Sequence, residues 1–145
     1  MQTSSATEVL AKRGSGDLID LLVSTVVETD FETIPTAALQ NSKKSILDAF
    51  GTTLAGSSAP GVKEVLKLLE HWGGRGEATV AVFGQRLPAY HAVLANVMMC
   101  HALEIDDSHY PAIVHPTAPT LWAGLATAEQ VGGVTGREFM TAVVL

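Results

Sequence analysis

The sequence predicts an all-α fold with one short extended segment. Apolar residues recur at helical spacing through most of the 145 residues, and nearly every such stretch is opened by a proline or a capping residue. Only Glu77 to Gly84 has the composition of a strand, bounded by Gly76 and Gly84. The length suits one core rather than two domains. The division expected is a flexible N-terminal tail over 1–16 and a helical domain over 17–145.

From Asp17 to about Glu28, Leu18, Ile19, Leu22, Val23, Val26 and Val27 form one helical stripe, with Ser15 or Asp17 as cap and Asp20 near the positive end. Its β-branched residues lower intrinsic propensity, so packing must hold this helix. Ile34-Pro35 announces the second helix, with Pro35 at its first position, where a missing N–H costs nothing. Leu39, Ile46, Phe50 and Leu54, with Leu47 alongside, are expected to face inward. Gly51 is expected to admit a close backbone neighbour, and Asp48 to be a partly exposed or locally hydrogen-bonded carboxylate rather than a catalytic one.

Gly56 to Gly61 is a turn. Val62, Val65, Leu66, Leu69 and Trp72 then make a short amphipathic helix stopped by Gly73-Gly74. The extended piece that follows is expected to be a connector, or to pair with something outside this chain. Pro88 opens a helix to about Leu103 that is apolar nearly all round, hence central. Within it His91 and Asn96 are expected to be satisfied core groups. Pro119 starts a helix through Gln130, with Leu121, Trp122, Leu125 and Ala126 inward. Thr135 and Glu138 match a capping box for a last helix that is still apolar at Leu145, an ending expected of truncation.

Composition narrows the function. Nine Lys plus Arg and a net charge of −6 offer no basic stripe, which argues against nucleic acid. The low charged fraction, 17%, suggests that part of the surface is covered by another chain or further sequence. No apolar run is long enough for a membrane span or a secretory signal. The single cysteine, Cys100, reads as a buried hydrophobe of a reducing compartment, cytoplasmic or an organellar matrix.

The chemistry gathers between His101 and Pro116. Three of the five histidines lie there (His101, His109, His115), with Glu104, Asp106, Asp107 and Ser108, between two apolar segments. Titratable groups in such a setting are costly unless paired or used. Three uses are open. A histidine beside a carboxylate can move a proton next to a carbonyl or carboxylate. His101-x-x-Glu104 with Asp106, His109 and His115 could hold a metal, though the spacing matches no familiar metal signature. Or the acids cap helices and the histidines satisfy buried carbonyls.

The stretch resembles the signature of the MmgE/PrpD family, which includes 2-methylcitrate dehydratase, cis-aconitate decarboxylase and iminodisuccinate epimerase. That signature, His-Ala-Leu-Asp-x-Asp-Asp-Thr-His followed by His-Pro-Ser, reads here His101-Ala102-Leu103-Glu104-Ile105-Asp106-Asp107-Ser108-His109 and His115-Pro116-Thr117. Ile46 to Gly51, Leu54-Ala55-Gly56, Val82-Phe83-Gly84, Ala126-x-Ala128-Glu129 and Thr135 to Glu138 agree in order. The similarity runs from about Asp17 to Leu145.

The resemblance implies the N-terminal portion of the family's helical domain, in a homodimeric lyase of small di- or tricarboxylates. It implies no cofactor and no metal. It implies Glu104, Ser108 and His115 as catalytic residues, with Asp107 and His109 as substrate-binding neighbours. Glu104 replaces the usual aspartate and Ser108 the usual threonine, which keeps each functional group but shifts its reach. Dehydration, decarboxylation and epimerisation of an amino- or imino-dicarboxylate all begin at a carbon next to a carboxylate. The family's lysines and a further histidine lie beyond the position matching Leu145, so this chain is expected to hold one wall of a pocket. The competing expectation is a truncated, non-catalytic helical dimerisation module.

Overall fold

A computed structural model describes residues 17–145. The expected N-terminal tail and the alternative cap Ser15 lie outside the described residues. Among the described residues six α-helices and one two-stranded antiparallel hairpin follow in chain order. They are α1 (Leu18–Glu28), α2 (Thr36–Gly56), α3 (Val62–Trp72), β1 (Ala78–Thr79), β2 (Arg86–Leu87), α4 (Ala89–His101), α5 (Thr117–Gln130) and α6 (Gly136–Val144). A 3-10 turn at Phe31–Thr33 joins the first two helices.

The caps explain the boundaries. Asp17 caps α1 by accepting from Ile19 N–H, while Pro35 and Pro88 stand just before α2 and α4. The cap residue, not the first helical turn, is where each proline sits, one position earlier than expected for Pro35. Helix α5 starts at Thr117, two residues ahead of Pro119. At α6 the capping box is complete: the Thr135 side chain accepts from Glu138 N–H, and the Glu138 carboxylate accepts from Thr135 N–H. The Thr135 N–H and, beside it, the Thr135 hydroxyl both donate to the Glu138 carboxylate and hold its carboxyl below its usual range.

Helix α4 is the centre, as its uniform apolarity requires. Ala92, Ala95 and Met99 join Val62, Leu66, Leu69, Ala78, Val80, Leu87 and Ala126 in one buried cluster. Cys100 joins Ala49, Ala118, Leu121 and Trp122 in a second. Two clusters flanking one helix make α4 the element on which α2, α3, α5 and the hairpin all rest.

The inward face of α2 matches the expected one only in part: Ile46 packs against the second cluster, but the fully buried residues are others. Ala49, Thr52, Thr53 and Gly56 are buried, whereas Leu47 is 74% and Leu54 64% exposed. Phe50 reaches in only at its edge, T-stacked on Trp122 at 5.2 Å. The reason is the distance between helices. A Cβ built on Gly56 would lie 2.0 Å from the Met99 carbonyl oxygen, so backbones touch and only small residues fit between them. Gly51, expected to be the contact point, has nothing within 4 Å.

The extended segment finds its partner inside the chain. Ala78 faces Leu87 and Thr79 faces Arg86. Between them Phe83 N–H bonds Ala81 O at 2.7 Å across Val82, which is held at φ 68° in a γ-type turn. A β-branched residue there is strained by about 1–3 kcal/mol. Asn96 from α4 opposes that cost: its Oδ1 accepts from Ala81 N–H at 2.8 Å and its Nδ2 donates to Thr79 O at 3.0 Å. Asn96 is thus a satisfied core group, as expected. His91 is not fully so. It is buried between Trp72 and Tyr90, and its Nδ1 has no partner because aromatic rings, rather than acceptors, surround it.

The stripe of α1 is uncovered. Leu18, Ile19, Leu22, Val23, Val26 and Val27 are all more than half exposed, and no residue of α1 is buried. The packing this helix needs is not supplied by the other described residues. Asp48 is exposed, as expected.

Candidate active site

The C-terminus of α4 positions the first group of the site. His101 is its last residue, and the chain leaves the helix through Glu104, whose N–H bonds His101 O at 3.0 Å. Glu104 has φ 54°, a left-handed conformation usually given to glycine or asparagine at a helix end. A glutamate tolerates it at a cost of about 1–2 kcal/mol, and such outliers concentrate at functional sites. The backbone then turns Asp106 inward. It closes a small hairpin in which His109 pairs with Val114, and Ile113 takes a second left-handed conformation at φ 52°.

Asp106 is the buried member, its side chain 2% exposed. His101 Nδ1 lies 3.0 Å from its Oδ1 and 3.2 Å from its Oδ2. His115 Nδ1 lies 3.5 Å from Oδ2. The two imidazoles stand 4.6 Å apart, edge to face. On the outer side, His101 Nε2 is 3.6 Å from Glu104 Oε1. The order in space is therefore Glu104, His101, Asp106, His115, although Asp106 and His101 were not among the site residues the resemblance implied.

The other implied residues divide. Ser108 and His109 are exposed on the outer part of the bend. Asp107 is engaged elsewhere: Thr117 N–H donates to its Oδ1 at 3.2 Å and Thr117 Oγ1–H to its Oδ2 at 2.7 Å. That is the capping role foreseen among the alternatives, applied across the bend to the start of α5, where unpaired N–H groups and the positive helix end favour a carboxylate. Glu104 and His115 flank the His101–Asp106 pair, Asp107 is tied to Thr117, and Ser108 and His109 are exposed on the same bend.

Asp106 sits next to Asp107 in sequence, and nothing in composition separates the two. A signal existed: His101 and His115 are the histidines bordered by apolar helices, so a carboxylate between them must turn toward the interior if it is to neutralise them. His101, Asp106 and His115 can present three ligand atoms within 4.8 Å of one another. A cation there would compete for the His101 Nδ1 that already bonds Asp106, while His115 Nδ1 makes no hydrogen bond among the described residues.

The Asp106 carboxylate, as hydrogen-bond partner of Nδ1, raises the pKa of His101 above its ordinary 6.5. Burial opposes this, and the charges of Asp106 and Glu104 reinforce it. An upward shift means that the protonated ring favours the folded chain. The stabilisation is complete below the unfolded value and is lost as pH rises through the raised folded one. Melting temperature should therefore fall as pH rises above the ordinary imidazole value of 6.5, more steeply in the native chain than in His101→Asn. The His101 side chain is 43% exposed, so screening keeps the difference small. Equal slopes would uncouple His101 from Asp106.

Cations near the site are few. The segment His101 to Pro116 contains no Lys or Arg. Among the described residues the ion pairs of Glu104 and Asp106 are to histidines alone, while Arg86 pairs with Glu129 and Arg137 with Glu32. No helix among the described residues is long and apolar enough to cross a membrane.

The sequence is 29% identical over 136 residues to the cis-aconitate decarboxylase-like protein oryM of Aspergillus oryzae (strain ATCC 42149 / RIB 40), a match covering 90% of this chain. The chain spans 28% of that protein's length. The profile of the MmgE/PrpD N-terminal domain matches residues 20–145, from within α1 to the last residue. With the signature bend, its preceding central helix and its capped α6 all inside that match, the chain belongs to the MmgE/PrpD family.

Proposed function

We propose that this chain supplies the acid–base wall of a lyase that removes water or carbon dioxide from a small di- or tricarboxylic acid, 2-methylcitrate-like or cis-aconitate-like. One observation carries the proposal. The His115 ring is 37% exposed while its Nδ1 is buried against Asp106, so the exposure belongs to the rest of the ring. An imidazole with one nitrogen turned toward a buried carboxylate and its other side open is the arrangement a general acid or base needs. His115 would take the proton from the carbon next to a substrate carboxylate or return it to a leaving hydroxyl. Glu104 and Ser108 would contact the substrate beside it, with His109 at the rim and Asp107 holding the bend in register. Epimerisation of an amino- or imino-dicarboxylate starts with the same proton removal and is the alternative on the same residues.

A polycarboxylate also needs positive charge, and the bend offers none beyond its histidines. The cations would come from polypeptide other than these residues, and the 145-residue chain alone is expected to show no turnover. The uncovered faces of α1 and α2 favour a homodimer or a larger assembly, and on their own they would also suit a non-catalytic helical dimerisation module. The test is an assay of a polypeptide carrying this domain together with the rest of the family's length. It would be offered methylcitrate, cis-aconitate and iminodisuccinate, with products followed by proton NMR. Turnover of one of them is expected, and none with the 145 residues by themselves. Failure of the longer protein on every acid would leave the module reading; turnover by the short chain would remove the need for borrowed cations.

A further inference from the structure

We infer that Asp106 is the positioning residue of this site: one buried carboxylate between two imidazoles, turning Nδ1 of both His101 and His115 inward and leaving Nε2 of His115 for chemistry. The inference rests on the lyase reading for its use in catalysis, but its geometry does not.

A carboxylate with 2% exposure has lost its water and must find donors or become neutral. Asp106 faces two imidazole nitrogens. His101 Nδ1 is within hydrogen-bond distance of both of its oxygens, at 3.0 and 3.2 Å. His115 Nδ1 is buried, makes no hydrogen bond among the described residues, and has Asp106 Oδ2 facing it at 3.5 Å. A ring nitrogen in that position can present a proton or a lone pair. A lone pair aimed at a carboxylate oxygen is repelled, and a proton is attracted, so the Nδ1–H tautomer is selected at both rings.

The consequence differs for the two rings. Nε2 of His101 lies 3.6 Å from Glu104 Oε1, and a charged His101 there sits between two carboxylates. The basic lone pair of His115 is placed on its Nε2, away from Asp106. When that nitrogen accepts a proton from a substrate carbon, the new imidazolium has Asp106 already beside its Nδ1–H. No bond to Asp106 breaks, and Asp106 remains a carboxylate throughout. The groups facing His115 are therefore Asp106 and His101, with Glu104 beyond His101.

The experiment reads tautomers directly. In the 15N-labelled 145-residue chain, two-bond proton–nitrogen correlations at alkaline pH should show His101 and His115 both as the Nδ1–H form. Asp106→Asn should switch at least one of them to Nε2–H, because an amide can accept from one imidazole but must donate to the other. Asp106→Glu should keep Nδ1–H in both, and serves if the Asn variant does not fold. His115 found as Nε2–H in the native chain overturns the inference. So do unchanged tautomers in a folded Asp106→Asn variant. These readouts need no turnover, so they separate a failure here from a failure of the lyase reading. In the longer, active protein Asp106→Asn should lower kcat about 10²-fold or more with KM changed only a few-fold. A rise in KM with kcat preserved would mean that Asp106 serves binding and not the orientation of the base.

Discussion

His115→Ala is expected to lower turnover by about 10²-fold or more in an active protein carrying this domain, while the fold survives. The ring is partly exposed and belongs to neither buried cluster, so its removal leaves little cavity. Its loss would leave Asp106 still paired with His101, which limits the penalty of a buried unpaired carboxylate. Circular dichroism and melting should therefore resemble the native protein, and the change should appear in kcat. Turnover within a few-fold of native would remove His115 from the proton transfer. A matching collapse of the melting transition would instead mark the ring as structural.

The largest effect on stability is expected at Gly56. In Gly56→Ala the new Cβ would meet the Met99 carbonyl oxygen at 2.0 Å and its carbon at 3.1 Å, both backbone atoms at the heart of α4. Neither can swing aside, so α2 must shift along its contact with α4. Overpacking of a core commonly costs about 1–3 kcal/mol, and a clash with backbone belongs at or above the top of that range. The control is Gly51→Ala on the same helix. It is exposed and meets nothing within 4 Å, so it should gain the helix-propensity difference of about 1 kcal/mol. Urea midpoints that move in opposite directions for the two variants would bear this out. Equal shifts would deny the close crossing of α2 and α4.

The helices were legible because their ends are written in residue types with fixed physical jobs. Pro35, Pro88, Asp17 and the Thr135–Glu138 box each mark a start that the structure reproduces within a residue or two. The inward face of α2 was not legible, because periodicity counts large apolar residues and this helix is buried on its small ones. Arg86–Leu87 is too short for an alternation signal, so its pairing with Ala78–Thr79 had no local signature. At the bend the stretch itself stood out by its density of titratable groups. Which carboxylate points inward was hidden, since Asp106 and Asp107 are chemically identical and only the backbone path separates their roles.

The tie between Asp107 and Thr117 has a mechanical consequence. Asp106 is bonded to His101 at the end of α4, and its immediate neighbour grips the first turn of α5. The bend is thus strung between two helices like a tendon and cannot slacken without loosening its hold on one of them. A substitution that displaces Asp106 is therefore expected to be felt at the helix that carries Leu121 and Trp122 of the second core cluster.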